Sequence, residues 1–189
     1  MTIVTRSVPS PVGNLLLVGD GERLTGLFMT SQRRAPSFEA VGEDGAAFGE
    51  AVRQLGEWFE GRRRTFHLDL APCGSTFQLQ VWEVLREIPF GETMTYGEVA
   101  RRVGRPGSAR AIGSAVGGNP VGIVIPCHRV VGAGGALTGY AGGLDRKRWL
   151  LEHERRYAGG RGDGTAAGRL FEPALHQSEG NSSSPEPKK

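Results

Sequence analysis

The spacing of apolar residues changes character near residue 75. Upstream, residues 3–8, 14–18 and 23–29 are short runs of alternating or β-branched apolar residues. They are separated by Pro11-Val12-Gly13 and Gly19-Asp20-Gly21-Glu22, residue types that favour turns. The pattern predicts three strands joined as hairpins or a meander. Residues 30–46 are polar and rich in Gly and Ala, which predicts a loop. Phe48, Val52, Leu55, Trp58 and Phe59 then recur at helical spacing and predict an amphipathic helix of about 14 residues. Residues 65–70 alternate again and predict a further strand, before Ala71-Pro72-Cys73-Gly74 punctuates the chain.

From Ser75 onward the period is helical. Ser75-Thr76-Phe77-Gln78 has the form of a capping box, and Phe77, Val81, Trp82, Leu85 and Ile88 continue it as an apolar stripe. Pro89-Phe90-Gly91 breaks that helix. Thr95-Tyr96-Gly97-Glu98 is a second capping box, opening a helix that runs through Val99 and Val103 to Gly104. After Arg105-Pro106-Gly107, Ser108 stands where it can cap a third helix over 109–118, built mostly of small residues. Helix, tight glycine turn and small-residue helix together form a helix-turn-helix pattern, shared with helical hairpins that never meet DNA.

Asn119-Pro120 ends the third helix. The continuous apolar run 121–125 predicts a buried extended segment that delivers Pro126-Cys127-His128-Arg129-Val130-Val131. A glycine-rich loop over 132–143 precedes a last helix over 145–156, with Trp149, Leu150 and His153 near one face. The fold class expected is an α/β N-terminal domain, a small antiparallel-rich sheet plus a helix, over residues 1–75. A mostly α-helical C-terminal domain with a helix-turn-helix follows over 76–157, and then a disordered tail over 158–189 that ends in SSSPEPKK.

Composition narrows the classes. No stretch approaches the roughly 18 apolar residues of a membrane span. The first residues lack a charged segment followed by an apolar one, so no secretory signal is expected. Two cysteines, Cys73 and Cys127, are then expected as free thiols in a cytoplasmic protein. The formal charge of +3 is uneven: residues 76–157 carry 11 basic against 7 acidic side chains, nearly all the basic ones arginine. That excess suits a polyanion partner, although a solvated basic face would look the same.

The candidate chemistry centres on Cys127. A thiolate is strongly nucleophilic, and an imidazole that takes the thiol proton raises its population. On extended backbone the adjacent His128 would point away from Cys127, so a water relay is the expected link. A carboxylate is needed to hold the imidazole tautomer, and Glu154 is the candidate. The alternative is that Cys127 is simply a small buried hydrophobe. His67, His128, His153 and His176 make no metal-site spacing with the two cysteines, so no metal is expected. His67 and His153 read as structural, His176 as solvated, and Cys73 carries no assigned role.

Ile125-Pro126-Cys127-His128-Arg129-Val130 resembles the active-site signature of the O6-alkylguanine-DNA alkyltransferases. The resemblance extends from about Phe77 to Glu154. It passes through Pro89-Phe90-Gly91-Glu92-Thr93 with Tyr96, Ala109-Arg110-Ala111-Ile112-Gly113 and Gly118-Asn119-Pro120. It continues through Thr138-Gly139-Tyr140-Ala141-Gly142-Gly143 and Trp149-Leu150-Leu151-Glu152-His153-Glu154. The first 75 residues fit that family's ribonuclease-H-like domain by pattern.

The resemblance implies single-turnover repair: an alkyl group passes from O6 of guanine, or O4 of thymine, to Cys127, without cofactor or metal. It implies His128 as base, Glu154 as its orienter, Asn119 as the residue fixing backbone around the thiol, and Tyr96 as donor toward N3 of the leaving guanine. Arg110 would fill the gap left by a flipped base. Ser108, Ala109, Ala111 and Gly113 would face double-stranded DNA along its minor groove with little sequence preference. Tyr140, Val130 and Ala141 would line the base pocket. A monomer in solution is expected, with cooperative assembly on DNA left open. The rival readings are an alkyltransferase-like lesion binder without repair activity, a helix-turn-helix regulator and a cysteine hydrolase with turnover. Lesion binders of the first kind replace the cysteine that is present here.

Overall fold

The computed structural model describes residues 3–29, 32 and 45–159. Of the predicted tail over 158–189, Ala158 is the last residue of the final helix, while residues 160–189, including His176, and almost all of the predicted 30–46 loop lie outside the described residues. Three strands form as the alternation dictates: β1 Val4–Val8, β2 Leu15–Gly19 and β3 Leu24–Met29, antiparallel in the order β1-β2-β3. Helix α1, Gly49–Phe59, turns Ala51, Leu55, Trp58 and Phe59 inward. The remaining elements are α2 Thr76–Arg86, the short strand β4 Met94–Thr95, α3 Tyr96–Arg102, α4 Ala109–Gly117, the short strand β5 Val130–Val131 and α5 Leu144–Ala158. One apolar core runs from Leu15, Leu27 and Trp58 through Trp82, Ile112 and Ile125 to Leu150.

Both capping boxes form. Ser75 Oγ accepts from the Gln78 amide while the Gln78 side chain accepts from the Ser75 amide, and Thr95 and Glu98 do the same for α3. We expect Thr95→Ala to lower stability by about 1 kcal/mol in a urea melt. Ser108 departs from its expected role: it occupies the N-cap position of α4, but its side chain makes no capping hydrogen bond. Its backbone, at φ −89° and ψ 31°, is not in the extended conformation that aims a cap oxygen at the helix amides. Helix α4 is held instead by packing, and by Trp82 Nε1 donating to the Ala115 carbonyl at 2.9 Å.

The alternating run 65–70 is not a strand. Only Leu70 makes a bridge, to Leu24 of β3. The backbone groups of His67 are met by a side chain: Gln54 of α1 donates to its carbonyl and accepts from its amide, each at 2.8 Å. That bidentate amide takes the place of a neighbouring strand.

The apolar run 121–125 is buried, as its composition demands, but turned rather than extended. The Val124 amide donates to the Gly122 carbonyl at 2.8 Å across Ile123, whose φ is +68°. This is a γ-turn of the rare, strained hand, and a β-branched residue there is an outlier. The Cys127 amide donates to the Ile125 carbonyl at 2.8 Å, a second tight turn across Pro126. A continuous apolar run reads alike for a buried strand and a buried turn, because burial alone sets its composition. The Ile125 amide donates back to the Val121 carbonyl at 3.0 Å, and β3 and Asn119 meet further polar groups of the run. Leu27 donates to the Pro120 carbonyl at 2.8 Å and accepts from the Gly122 amide at 3.0 Å.

Candidate active site

Cys127–Arg129 is one 3-10 turn, so the extended backbone expected there is replaced by a turn. In a strand, successive side chains point to opposite faces; in this turn His128 and Arg129 both reach α5. β5 follows directly and pairs in parallel with β4, Met94 opposite Val130 and Thr95 opposite Val131. This two-residue pair sets the start of α3, and with it Tyr96, beside the cysteine turn.

His128 is fully buried, and its Nε2 lies 3.0 Å from Glu154 Oε1. A carboxylate only accepts, so Nε2 carries the proton and Nδ1 keeps a lone pair. Nδ1 is buried without a hydrogen-bond partner. Arg129 grips the same carboxylate: Nε lies 2.9 Å from Oε2 and Nη2 2.7 Å from Oε1, while Nη1 donates to the Ile88 carbonyl at 2.5 Å. The Gly91 amide completes the set at 3.0 Å from Oε2. Gly91 is required there, since its φ is +82° and a Cβ would stand 2.6 Å from that of Ala158.

Burial pushes the Glu154 carboxyl up, but His128 and Arg129 outweigh it and hold it at about 2. Burial pushes the His128 pKa down against the pull of Glu154. Burial also pushes the Cys127 thiol up, opposed by the Asn119 side chain, the Lys147 charge and nearby backbone amides. The resting pair is therefore a neutral thiol and a neutral imidazole. Asn119 Nδ2 donates to the Ile125 carbonyl at 2.8 Å, and its Oδ1 accepts from the Val121 amide at 3.0 Å. It thereby clamps both ends of the strained turn before the thiol.

The loop after β5 closes over the thiol. Gly139, Tyr140, Ala141 and Gly142 line a slit with Cys127, Asn119, Gln32 and the last turn of α4, leaving about 20 Å³. That is room for roughly one water molecule. Tyr96 Oη donates to the Thr138 and Gly139 carbonyls, both at 3.3 Å, and so braces this loop. The buried Lys147 does so from the other side, donating to the Val130 carbonyl at 2.6 Å and the Thr138 carbonyl at 2.7 Å. Burial pushes the Lys147 pKa down to about 8. At Gly142 any side chain would collide with Tyr140 at 2.8 Å and with Met29 Sδ at 3.0 Å.

Helix α4 separates its faces cleanly. Ile112, Ala115 and Val116 are buried, while Ala109, Arg110 and Ala111 are exposed. Gly113 and Ser108 are half-buried, and a methyl at Gly113 would stand 3.9 Å from the Tyr96 ring. Val130 is buried, is not among the residues lining the slit, and has its carbonyl taken by Lys147; Ala141 and Tyr140, half-buried on the loop, do line it. His153 lies outside this group: its Nε2 meets the Trp58 carbonyl at 2.9 Å and its ring stacks on Trp149. No cluster of three or more metal-ligating side chains occurs among the described residues. No helix among them is long and apolar enough to cross a membrane.

Residues 3–72 match the ribonuclease-like domain of 6-O-methylguanine DNA methyltransferase, and residues 76–156 match the DNA binding domain of the same family. The chain belongs to this methyltransferase family. It is 52% identical over 153 residues to a methylated-DNA–protein-cysteine methyltransferase of Mycolicibacterium paratuberculosis, covering 81% of this chain and 93% of the relative. A relative of the same name from Methanosarcina acetivorans is 48% identical over 146 residues, covering 77% and 94%. In structure the chain is similar to Mycobacterium tuberculosis OGT in complex with DNA, with a TM-score of 0.79, 48% identity and coverage of 82% and 94%.

Two residues of this methyltransferase site escaped the sequence reading, Arg129 and Lys147. Both look like members of a basic surface in a chain with many arginines. Arg129 is only 6% exposed and Lys147 fully buried. For Lys147 one signal was present: it is the only lysine in residues 3–159, where every other basic side chain apart from the histidines is arginine.

Proposed function

We infer that this chain repairs DNA by direct reversal, moving a methyl or other alkyl group from O6 of guanine onto Cys127 once per molecule. Family membership and relatives of that name over most of their length support the activity. The observation that carries the residue assignment is the buried row Cys127, His128 and Glu154, in which Nδ1 of a neutral imidazole keeps a free lone pair on the thiol's own turn.

The chemistry follows from that row. Through a bridging water, the Cys127 proton passes to His128 Nδ1, and Glu154 stabilises the imidazolium that results. The thiolate attacks the alkyl carbon in line with the C–O bond. A C–S bond forms, the C–O bond breaks, and its electron pair leaves with the guanine, which Tyr96 can protonate at N3. Lys147 lends positive charge to the thiolate. The thioether has no leaving path, so the molecule acts once and needs no cofactor.

Access sets the remaining demands. A base inside the stack cannot reach a buried thiol, so the nucleotide must be everted, at a cost of a few kcal/mol. The slit also has no room for a purine, so the loop around Tyr140 moves outward on entry. The exposed Ala109, Arg110 and Ala111 carry one cation and almost no bulk, which favours a close, sequence-independent approach along the minor groove. A cytoplasmic location and a monomeric state in solution complete this reading. A lesion binder without repair is not favoured, because the acceptor cysteine is present.

Incubation with duplex DNA labelled at O6-methylguanine tests it. Label should accumulate on protein to one per chain and stop; continued turnover on fresh substrate would overturn it. Arg110→Ala should slow repair in duplex roughly tenfold or more while leaving single-stranded substrate nearly unaffected, as expected for a residue that offsets unstacking. Equal losses on both substrates would count against that role.

A further inference from the structure

The relay from Cys127 through His128 to Glu154 leaves one buried cation unused. Arg129 spends its whole guanidinium inside the protein: two nitrogens on Glu154, the third on the Ile88 carbonyl, with the Phe90 ring 5.9 Å from its centre. None of it faces the slit beside Cys127, so it does not contact the reacting atoms. Its effect must run through Glu154.

We propose that Arg129 is a positioning residue of the proton relay: it holds and neutralises Glu154, so that His128 rests as an uncharged imidazole with Nδ1 open to the Cys127 proton. The assignment rests on the reading of Cys127 as the alkyl acceptor.

The reason is charge in a buried site. A carboxylate alone against a buried imidazole draws a proton onto the ring, because opposite charges attract strongly where water is excluded. Every ring protonated in this way has its Nδ1 occupied and cannot accept the thiol proton. A guanidinium on the same carboxylate removes that pull while leaving Oε1 free to orient Nε2. Groups facing the ring from each side fit this balance. α5 presents Glu154, Lys147 and His153, the turn itself presents Arg129 and Cys127, and α1 presents the uncharged Trp58 ring at 6.3 Å. Among the cations of the described residues, Arg129 alone touches Glu154. Burial is the largest influence holding His128 in its neutral form; Arg129, and after it Lys147, push the same way against the pull of Glu154. Geometry explains why an arginine is used: the fork spans both carboxylate oxygens and still leaves a nitrogen to anchor on Ile88.

Two measurements decide it. In the unmodified protein without DNA, nitrogen-detected NMR of His128 should show an Nε2-protonated neutral ring that charges only below the ordinary histidine pKa of about 6.5. A ring already charged at neutral pH overturns the proposal, whatever the activity. In single-turnover transfer followed against pH, R129M should move the rising limb upward by about one pH unit or more. Below that limb its rate should be roughly tenfold or more under that of wild type at the same pH, because the neutral base is scarcer. R129K keeps a cation and should stay near the wild-type profile at a lower affinity for its carboxylate. The double variant R129M/E154Q, with no charge on either partner, should bring the limb back down. A folded R129M whose profile superimposes on wild type overturns the role. If instead wild type leaves Cys127 unlabelled, the functional reading has failed, and the NMR titration still decides the charge state of the ring.

Discussion

Cys127→Ser should abolish alkyl transfer while leaving duplex binding within about a factor of two. The hydroxyl is close in size to the thiol, and the turn that carries residue 127 is held by backbone bonds and by the Asn119 contacts to the Ile125 carbonyl and the Val121 amide, all of which remain in the serine variant. The alcohol ionises so much less readily than the thiol that the His128 relay cannot supply a useful nucleophile. Binding persists because the exposed face of α4 is untouched. Lesion loss measured alongside affinity on the same duplex checks both halves. A serine variant that still clears the lesion would remove Cys127 from its assigned role.

Glu154→Ala should be the most damaging substitution to the fold of the site, costing about 3–5 kcal/mol in a urea melt, because it leaves the Arg129 guanidinium buried and unpaired. Transfer should fall about 100-fold or more, since the imidazole loses the group that fixes its tautomer. The same carboxylate gives the protein an acid limb. Its folded pKa, about 2, lies below its ordinary value of 4.5. The stability it contributes is therefore fully present above about pH 4.5 and is lost as the pH falls toward 2. Urea melts across that window should show this loss in wild type and a flatter limb in Glu154→Gln. Equal limbs would mean that the carboxylate is not paired as described.

The helical half was largely legible from residue types. Capping boxes are local, so Ser75 with Gln78 and Thr95 with Glu98 announce their helices within four residues. The Cys127, His128 and Glu154 row was legible as residue types and by resemblance, although the reason for it was not. The expected strand would have sent His128 and Arg129 apart; the actual 3-10 turn sends both to α5. What failed elsewhere depended on distant partners. Gln54 replaces a strand for His67 from 13 residues away. β4 and β5 pair across more than 30 residues with only two residues each. Lys147 and Arg129 are charged side chains in an arginine-rich chain, and burial is a property that neither composition nor spacing announces. The strained Ile123 turn is invisible for the same reason, since an apolar run looks alike extended or folded.

Repair by this chain comes down to permanent capture of a carbon by one sulfur. The most direct test is peptide mass spectrometry after the protein has met a duplex containing O6-methylguanine. The peptide holding Cys127 should gain one methyl group in proportion to the guanine restored, while the peptide holding Cys73 stays unchanged. Restoration of guanine with the Cys127 peptide still unmodified would contradict it.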